Sequence, residues 1–145
     1  MRFSWLLPCI CFIYFSSAVQ ARTWRIQTDG LGDAPTIQAA IDSSASGDTV
    51  LVHDGTYTGP GNKDLDFGGK GLVVRSVNGP ASTTIDCEGS GRGVHFHSNE
   101  TLSSVLQGLT IRSGSTTNWG GGILIDGARP TIEECWILEN AAGIG

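Results

Sequence analysis

The chain has 145 residues, a formal net charge of −5 and 21 glycines, about twice the usual glycine content and without a collagen-like period. This length suits one domain, and the glycines predict many tight turns between short strands. Lysine and arginine form no cluster in the sequence, which argues against a nucleic-acid partner.

The first 21 residues have the organisation of a signal peptide. Arg2 gives a positively charged start, an apolar run covers 5–15, and small residues lead up to Ala21. The apolar run is too short to cross the ~30 Å hydrocarbon core of a membrane, so we expect no anchor there. We expect cleavage after Ala21, export to the periplasm, the cell surface or the medium, and a mature domain at 22–145.

Export also bears on the cysteines. Cys9 and Cys11 would leave with the signal peptide, whereas Cys87 and Cys135 would remain in an oxidising compartment. These two could form a disulfide, or each could pack in the core as a small apolar side chain. Cysteine and histidine spacing fits no metal site, so the sequence predicts no such cofactor.

One helix is predicted, near the start of the mature domain. Residues 34–42 have a proline in the first turn, and Ile37, Ala40 and Ile41 fall on one face. A short β-branched strand is predicted next, over 48–53, and it stops at an Asp-Gly pair. The segment therefore predicts an amphipathic helix followed by a strand.

Short apolar strands alternate with glycine- or asparagine-containing turns over the rest of the chain. The predicted strand cores are 65–67, 72–74, 84–85, 94–96, 105–106, 109–111, 123–125, 131–132 and 136–138. They recur at a spacing of about 26 residues. In this alignment 109–111 corresponds to 136–138. Residues 121–123 also resemble 142–144, at a spacing shorter than the repeat.

A period of this size predicts a solenoid of stacked coils. A single coil of three short strands cannot bury its inward side chains, whereas stacked coils bury continuous rows of Ile, Leu, Val and Phe. The helix would then cover the open N-terminal end of the apolar column. A β-sandwich also has short strands, but it would favour hairpins with two-residue turns, which this spacing does not show. We therefore predict an all-β fold, a parallel β-helix with an N-terminal capping helix.

Two parts of the chain resemble a known family. Residues 36–57 (TIQAAIDSSASGDTVLVHDGTY) resemble the N-terminal module of right-handed parallel β-helix proteins of the pectin-lyase-like superfamily. From residue 66 onward the chain is similar to bacterial members that repeat a Pro-Thr-Ile-x-x-Cys-x-Ile-x-x-Asn-x-Ala unit, matched here by 130–142. The resemblance covers 34–145 and implies a right-handed β-helix, without implying any one activity.

The chain departs from that family in two ways. Related repeats commonly have Asn before the cysteine, where this chain has Glu134. The chain also ends at 143–145 within another glycine-rich strand start, with no C-terminal cap. We therefore expect it to be the N-terminal part of a longer β-helix, with an open C-terminal end.

Strand alternation places two histidines on the exterior of one coil. Val94 and Phe96 would point inward, so His95 and His97 would share the outside, joined by Asp126 from the next coil. Such a face could serve acid–base chemistry or bind a ligand. It could equally be the solvated polar exterior that every β-helix has.

Three further features of the sequence are candidate sites. Trp119 lies in a predicted turn, where it could stack on a sugar ring or pack on a neighbouring turn. Asp64 and Asp66 could share a face and bind Ca²⁺ through oxygen ligands, although two carboxylates alone make a weak site. Arginines such as Arg92 lie beside strands, where a lyase needs cations near a uronate but where surface arginines are also ordinary.

Together these observations favour a binding or structural module over an enzyme. We expect an exported, monomeric scaffold that presents its outer face to extracellular polysaccharide or to a cell-surface partner. The alternative is the N-terminal part of a polysaccharide lyase or glycoside hydrolase, with its catalytic coils beyond residue 145. Clustered Lys/Arg or paired Asp in further coils would favour the enzyme, and more repeats followed by a sorting domain would favour the scaffold.

Overall fold

The computed structural model describes residues 20–143, which form a parallel β-solenoid. The elements in chain order are β1 (Thr23–Ile26), α1 (Ile37–Ser43), β2 (Thr49–Val52), β3 (Gly55–Tyr57), β4 (Val73–Ser76), β5 (Thr83–Asp86), β6 (Val94–Phe96), β7 (Val105–Gln107), β8 (Thr110–Arg112), β9 (Ser115–Thr116), β10 (Ile123–Ile125), β11 (Thr131–Glu133), β12 (Trp136–Leu138) and β13 (Ala141–Ala142). The strands pair in parallel throughout this part of the chain. The predicted all-β parallel β-helix with an N-terminal helix is therefore confirmed.

The strands stack into columns, one for each side of the coil. The longest column is a five-stranded sheet in the order β1-β2-β4-β7-β11, which gives about five coils. The second column has the order β3-β5-β8-β12, and the third contains β6 and β10, preceded by an isolated parallel bridge between Leu65 and Val94. β9 and β13 form a further two-stranded sheet.

The interior consists of apolar side chains that lie in register from coil to coil. In the five-stranded sheet, Val50, Val74 and Leu106 occupy successive strands and are all fully buried. In the third column the ring centroids of Phe67 and Phe96 lie 4.8 Å apart, with an interplanar angle of 48°. Apolar burial and this aromatic contact both stabilise the stacking of one coil on the next.

The last coil repeats the inward residues but is covered on one side only within the described chain. Ile137 is in register with Ile111, yet it is 45% exposed, whereas Ile111 is fully buried. Ile132 is 37% exposed where its neighbour Leu106 is fully buried. Ile132 and Ile137 thus occupy core positions that no described coil covers.

Helix α1 packs its apolar face against the first coils. Ile37, Ala40 and Ile41 are buried, as the spacing predicts, in the same apolar cluster as Ile26 of β1 and Val50 of β2. This packing is consistent with a helix that covers the N-terminal end of the apolar column.

The predicted start of the helix is wrong. The helix begins at Ile37 rather than at residue 34, and Thr36 is its N-cap. Oγ1 of Thr36 accepts a hydrogen bond from N of Ala39 at 3.2 Å, which satisfies an amide left free at the helix end. Pro35 therefore lies before the cap and not in the first turn.

The observed register corrects the predicted repeat alignment. The strand 136–138 pairs with 110–112 and not with 109–111. Leu109 is fully buried but lies just before β8. Matching apolar residues in the sequence therefore gives a register that differs by one residue from the observed strand pairing. β13 pairs with β9, so the predicted match of 142–144 with 121–123 is also wrong.

Some strands differ from those predicted. The segment 65–67 contains only the single bridge at Leu65, although the sequence predicts a strand there. Four strands that the sequence pattern did not predict are β1, β3, β9 and β13. They are short and lack the long apolar run that a local pattern would detect.

Most of the predicted signal peptide lies outside the described residues, as do the last two residues of the chain. Gln20 and Ala21 are described, are exposed and precede β1. Within the described range, no helix has the length and apolar character needed to cross a membrane.

Candidate functional site

The third column of strands has the predicted histidine pair on its outer side. Val94 and Phe96 of β6 are fully buried in the core, so His95 and His97 project outward, as strand alternation predicts. The two imidazole rings lie 4.1 Å apart between centroids, with an interplanar angle of 36°. The pair is therefore a compact feature of the surface rather than two separate side chains.

Acidic residues from the adjacent coils flank these histidines. N of Asp126 donates to O of Phe96 at 2.8 Å, which places Asp126 beside His97 in the register. Asp66 comes from the preceding coil, and its Oδ2 lies 3.4 Å from Nε2 of His97. The side chains of this pair are 42% and 39% exposed, so water weakens their attraction. We call His95, His97, Asp66 and Asp126 the outer histidine face.

His95 is the less accessible of the two histidines. Its Nε2 is buried and has no hydrogen-bond partner among the described residues. Burial lowers the pKa of His95, the nearby His97 and Arg92 side chains lower it further, and the two carboxylates of the face oppose the shift. The neutral imidazole, which can donate and accept hydrogen bonds, is therefore favoured at neutral pH.

A concavity around Trp119 adjoins the outer histidine face. The Trp119 residue is 71% exposed and lies in the turn between β9 and β10. The concavity is lined by Arg92, Asn118, Trp119 and Leu124, which we call the Trp119 concavity. Leu124 is in register with His95, so the concavity and the outer histidine face share one side of the solenoid.

Arg92 supports the turn that bears Trp119. Nε and Nη2 of Arg92 donate to the carbonyl oxygen of Trp119 at 3.4 and 3.3 Å. N of Arg92 donates in turn to Oδ1 of Asp64 at 2.8 Å. This series of contacts joins three coils, so the position of the Trp119 turn depends on the stacking of the solenoid.

Asp64 and Asp66, the two candidate Ca²⁺ ligands, contact different groups. Asp64 has a φ of 51°, so strand alternation does not apply to it, and its carboxylate accepts from N of Arg92. Oδ1 of Asp66 accepts from N of Gly68 at 2.8 Å, and its Oδ2 faces His97. The described residues contain no group of three or more His, Cys, Asp or Glu arranged to hold a metal ion.

Both described cysteines are free thiols. Cys87 follows β5 and is fully buried, whereas Cys135 precedes β12 and is partly buried. β8 lies between those two strands, so the cysteines are separated by roughly 10 Å of stacking, beyond the reach of a disulfide. Burial raises the pKa of Cys87 to about 11 and also raises that of Cys135. The structure therefore supports the alternative in which each cysteine packs as a small apolar side chain.

The structure brings His95, His97 and Asp126 onto one face and places Trp119 beside it. The contacts of Asp66 with His97 and of Arg92 with Trp119 were not predicted from the sequence. These contacts join residues 31 and 27 positions apart, and the residues meet only because successive coils stack. The chemical roles of all these residues stay predictions.

The arrangement combines an exposed aromatic ring, a guanidinium group, an amide and a histidine–aspartate pair on one wall. It can offer an apolar surface together with hydrogen-bond donors and acceptors to a polar ligand. Comparison of the chain with protein-family models, with curated proteins and with solved structures finds no match.

Proposed function

We propose that this chain is an exported β-helix scaffold of the pectin-lyase-like type, and that it binds carbohydrate at the Trp119 concavity. The parallel solenoid supports the scaffold. The sequence resemblance over 34–145 supports the superfamily, and the signal-peptide-like residues 1–21 support export.

Trp119 is the observation on which the binding proposal depends. Trp119 is 71% exposed, and Arg92 holds its carbonyl oxygen, so an apolar ring on an anchored turn faces water. Such a ring suits the C–H face of a pyranose, which is apolar while its edge bears hydroxyls. Arg92 and Asn118, which line the same concavity, supply hydrogen-bond donors for those hydroxyls.

The outer histidine face would extend the binding surface along the stack. His97 and Asp66 are both about 40% exposed and offer polar atoms beside the concavity. A polymer that lies across successive coils would meet the indole in one coil and these polar side chains in the neighbouring ones. An extended ligand fits this arrangement better than a single small molecule does.

The hydrogen bonds of two aspartates favour binding over catalysis. Glycoside cleavage requires two carboxyl groups that flank one bond, with the pKa of the acid raised. Asp64 and Asp66 instead accept hydrogen bonds from backbone amides of the solenoid. They therefore act as structural acceptors, which supports a module that holds a glycan without cleaving it.

The proposal is tested by isothermal titration against a panel of soluble plant and bacterial polysaccharides. We expect the Trp119→Ala variant to bind its best ligand about tenfold or more weakly, because the stacking surface is lost. Trp119→Phe should retain part of the affinity. The matched control is Trp136→Ala, which removes a half-exposed tryptophan from β12, in a different sheet, and should leave the affinity unchanged.

Two outcomes would contradict the proposal. One is the absence of binding to every polysaccharide of the panel, and the other is equal weakening by Trp119→Ala and Trp136→Ala. Release of reducing ends or of unsaturated products from the same polysaccharides would instead support the enzyme alternative.

A further inference from the structure

We propose that cleavage of the bond between Ala21 and Arg22 creates an α-ammonium group that pairs with the carboxylate of Asp48 and stabilises the mature chain. This inference concerns a processing site and does not depend on carbohydrate binding.

Asp48 is a fixed acceptor directed at the backbone nitrogen of residue 22. Its Oδ1 lies 2.8 Å from N of Arg22, and the residue is only 5% exposed. Its Oδ2 accepts from N of Ala45 at 2.9 Å and from Nε1 of Trp24 at 3.4 Å. The backbone hydrogen bonds from Arg22 and Ala45 lower the pKa of Asp48, so this carboxylate is an anion at neutral pH.

The ordered sheet begins at the residue that the cleavage would expose. O of Arg22 accepts from N of Thr49 at 2.8 Å, which starts the ladder between the first two strands. The guanidinium of Arg22 lies 3.6 Å above the ring centroid of Trp24. Gln20 and Ala21 are exposed and lie outside any strand. The bond between residues 21 and 22 therefore lies between exposed chain and the solenoid.

The sequence points to the same bond independently. Ser16, Ser17 and Ala18 are small, as is Ala21 itself, and export peptidases require small residues near the bond they cut. That pattern contains no information about Asp48, which lies 26 residues beyond Arg22. The signal-peptide pattern and the contacts of Arg22 with the solenoid thus point independently to the same peptide bond.

The reaction is a hydrolysis by an export-pathway endopeptidase, with water as the co-reactant. The C–N bond between Ala21 and Arg22 breaks, the water oxygen joins the carbonyl carbon of Ala21 as a carboxylate, and the nitrogen of Arg22 takes up protons to become an ammonium. In the uncut chain Asp48 faces a neutral amide N–H. In the cut chain it faces a positive charge at the same place, and charge-assisted hydrogen bonds are the stronger kind.

The cleavage itself is tested by secreting the full chain from an exporting bacterial host and measuring the intact mass and N-terminal sequence. We expect the secreted protein to begin at Arg22. A product that begins at any other residue, or that retains the first 21 residues, would overturn the proposal.

The stabilisation is tested by a thermodynamic cycle with chains that begin at Arg22 or at Gln20. With Asp48 present, we expect the chain that begins at Arg22 to have a Tm about 2–5 °C higher. With Asp48→Asn the difference should disappear. Asp33→Asn is the matched control, because Asp33 also accepts from a backbone amide of β1, that of Arg25, and should preserve the difference.

The pH dependence supplies a second readout that needs no variant. A cation that gains a partner in the folded state stabilises while it is protonated, and an α-amino group ordinarily has a pKa of about 7.7–8.0. The advantage of the chain that begins at Arg22 should therefore be complete near pH 6 and fade as the pH rises above about 8. Equal Tm values for the two chains at pH 6 would refute the ion pair even if Asp48→Asn fails to fold.

Discussion

Glu100 is a buried carboxylate in the turn between β6 and β7. The residue is 2% exposed, and its two side-chain oxygens accept hydrogen bonds from different coils. Oε1 accepts from N of Gly69 at 3.0 Å, and Oε2 accepts from N of Ser98 at 2.9 Å. One side chain therefore satisfies two backbone amides and ties neighbouring turns together.

Replacement of this carboxylate should destabilise the fold in proportion to the acceptors lost. Glu100→Ala leaves two amides without their partner, so we expect the free energy of unfolding to fall by about 2–4 kcal/mol. Glu100→Gln keeps one oxygen and should cost about half as much. Urea unfolding measures both values, and equal losses for the two variants would show that the hydrogen bonds are not the cause.

His95 makes stability depend on pH in a specific direction. The folded state lowers its pKa, chiefly through burial, so the unfolded chain binds a proton more readily. The free energy of unfolding should therefore decrease as the pH falls below about 6.5, the ordinary histidine value. His95→Gln should show a smaller decrease than the unmodified chain between pH 7.5 and 5. His53→Gln, in the loop between β2 and β3, is the control, and an equally small decrease in that variant would contradict the assignment to His95.

At the scale of the element, an inner strand is stabilised by strands on both sides of it, and an end strand by one neighbour only. Ile111 of β8 and Ile137 of β12 test this directly, because they are the same residue type in neighbouring positions of one column. Ile111→Ala removes a fully buried side chain and should cost about 2–5 kcal/mol. Ile137→Ala, at a position that is 45% exposed, should cost about 1–2 kcal/mol. Urea unfolding midpoints compare the two, and a larger loss for Ile137→Ala would contradict the observed order of burial.

Local sequence patterns predicted the strands that have strong apolar character and missed those that depend on pairing. The β-branched residues of β2 and the Ile-Leu-Ile of β10 have high intrinsic strand preference, and both were predicted. β9 is Ser-Thr and β13 is Ala-Ala, so neither has a local signal. They are strands because the coil geometry brings them side by side.

At the scale of the whole molecule, the repeat length varies more than the sequence spacing suggests. In the five-stranded sheet Thr49 follows Thr23 by 26 residues, Val73 follows Thr49 by 24, Val105 follows Val73 by 32, and Thr131 follows Val105 by 26. A fixed period therefore aligns only some of the coils. The fold class was predictable from the recurring short strands and the family resemblance, but the register was not, because turn lengths determine it.

The candidate site, like the fold, was predictable from the sequence only in part. Alternation within one strand was enough to place His95 and His97 on the exterior. The partners from other coils, Asp66 for His97 and Arg92 for Trp119, could not be predicted, because their approach depends on the register between coils. Sequence patterns thus identified the candidate side chains but not the neighbours that determine their environment.

The uneven coil lengths bear on how such a protein could diversify. The long step between Val73 and Val105 places its extra residues in turns, while the inward rows keep their alignment. Insertions at these corners would lengthen outer loops and leave the interior packing unchanged. New recognition surfaces could therefore arise by loop growth alone, so relatives with the same interior could evolve to hold quite different ligands.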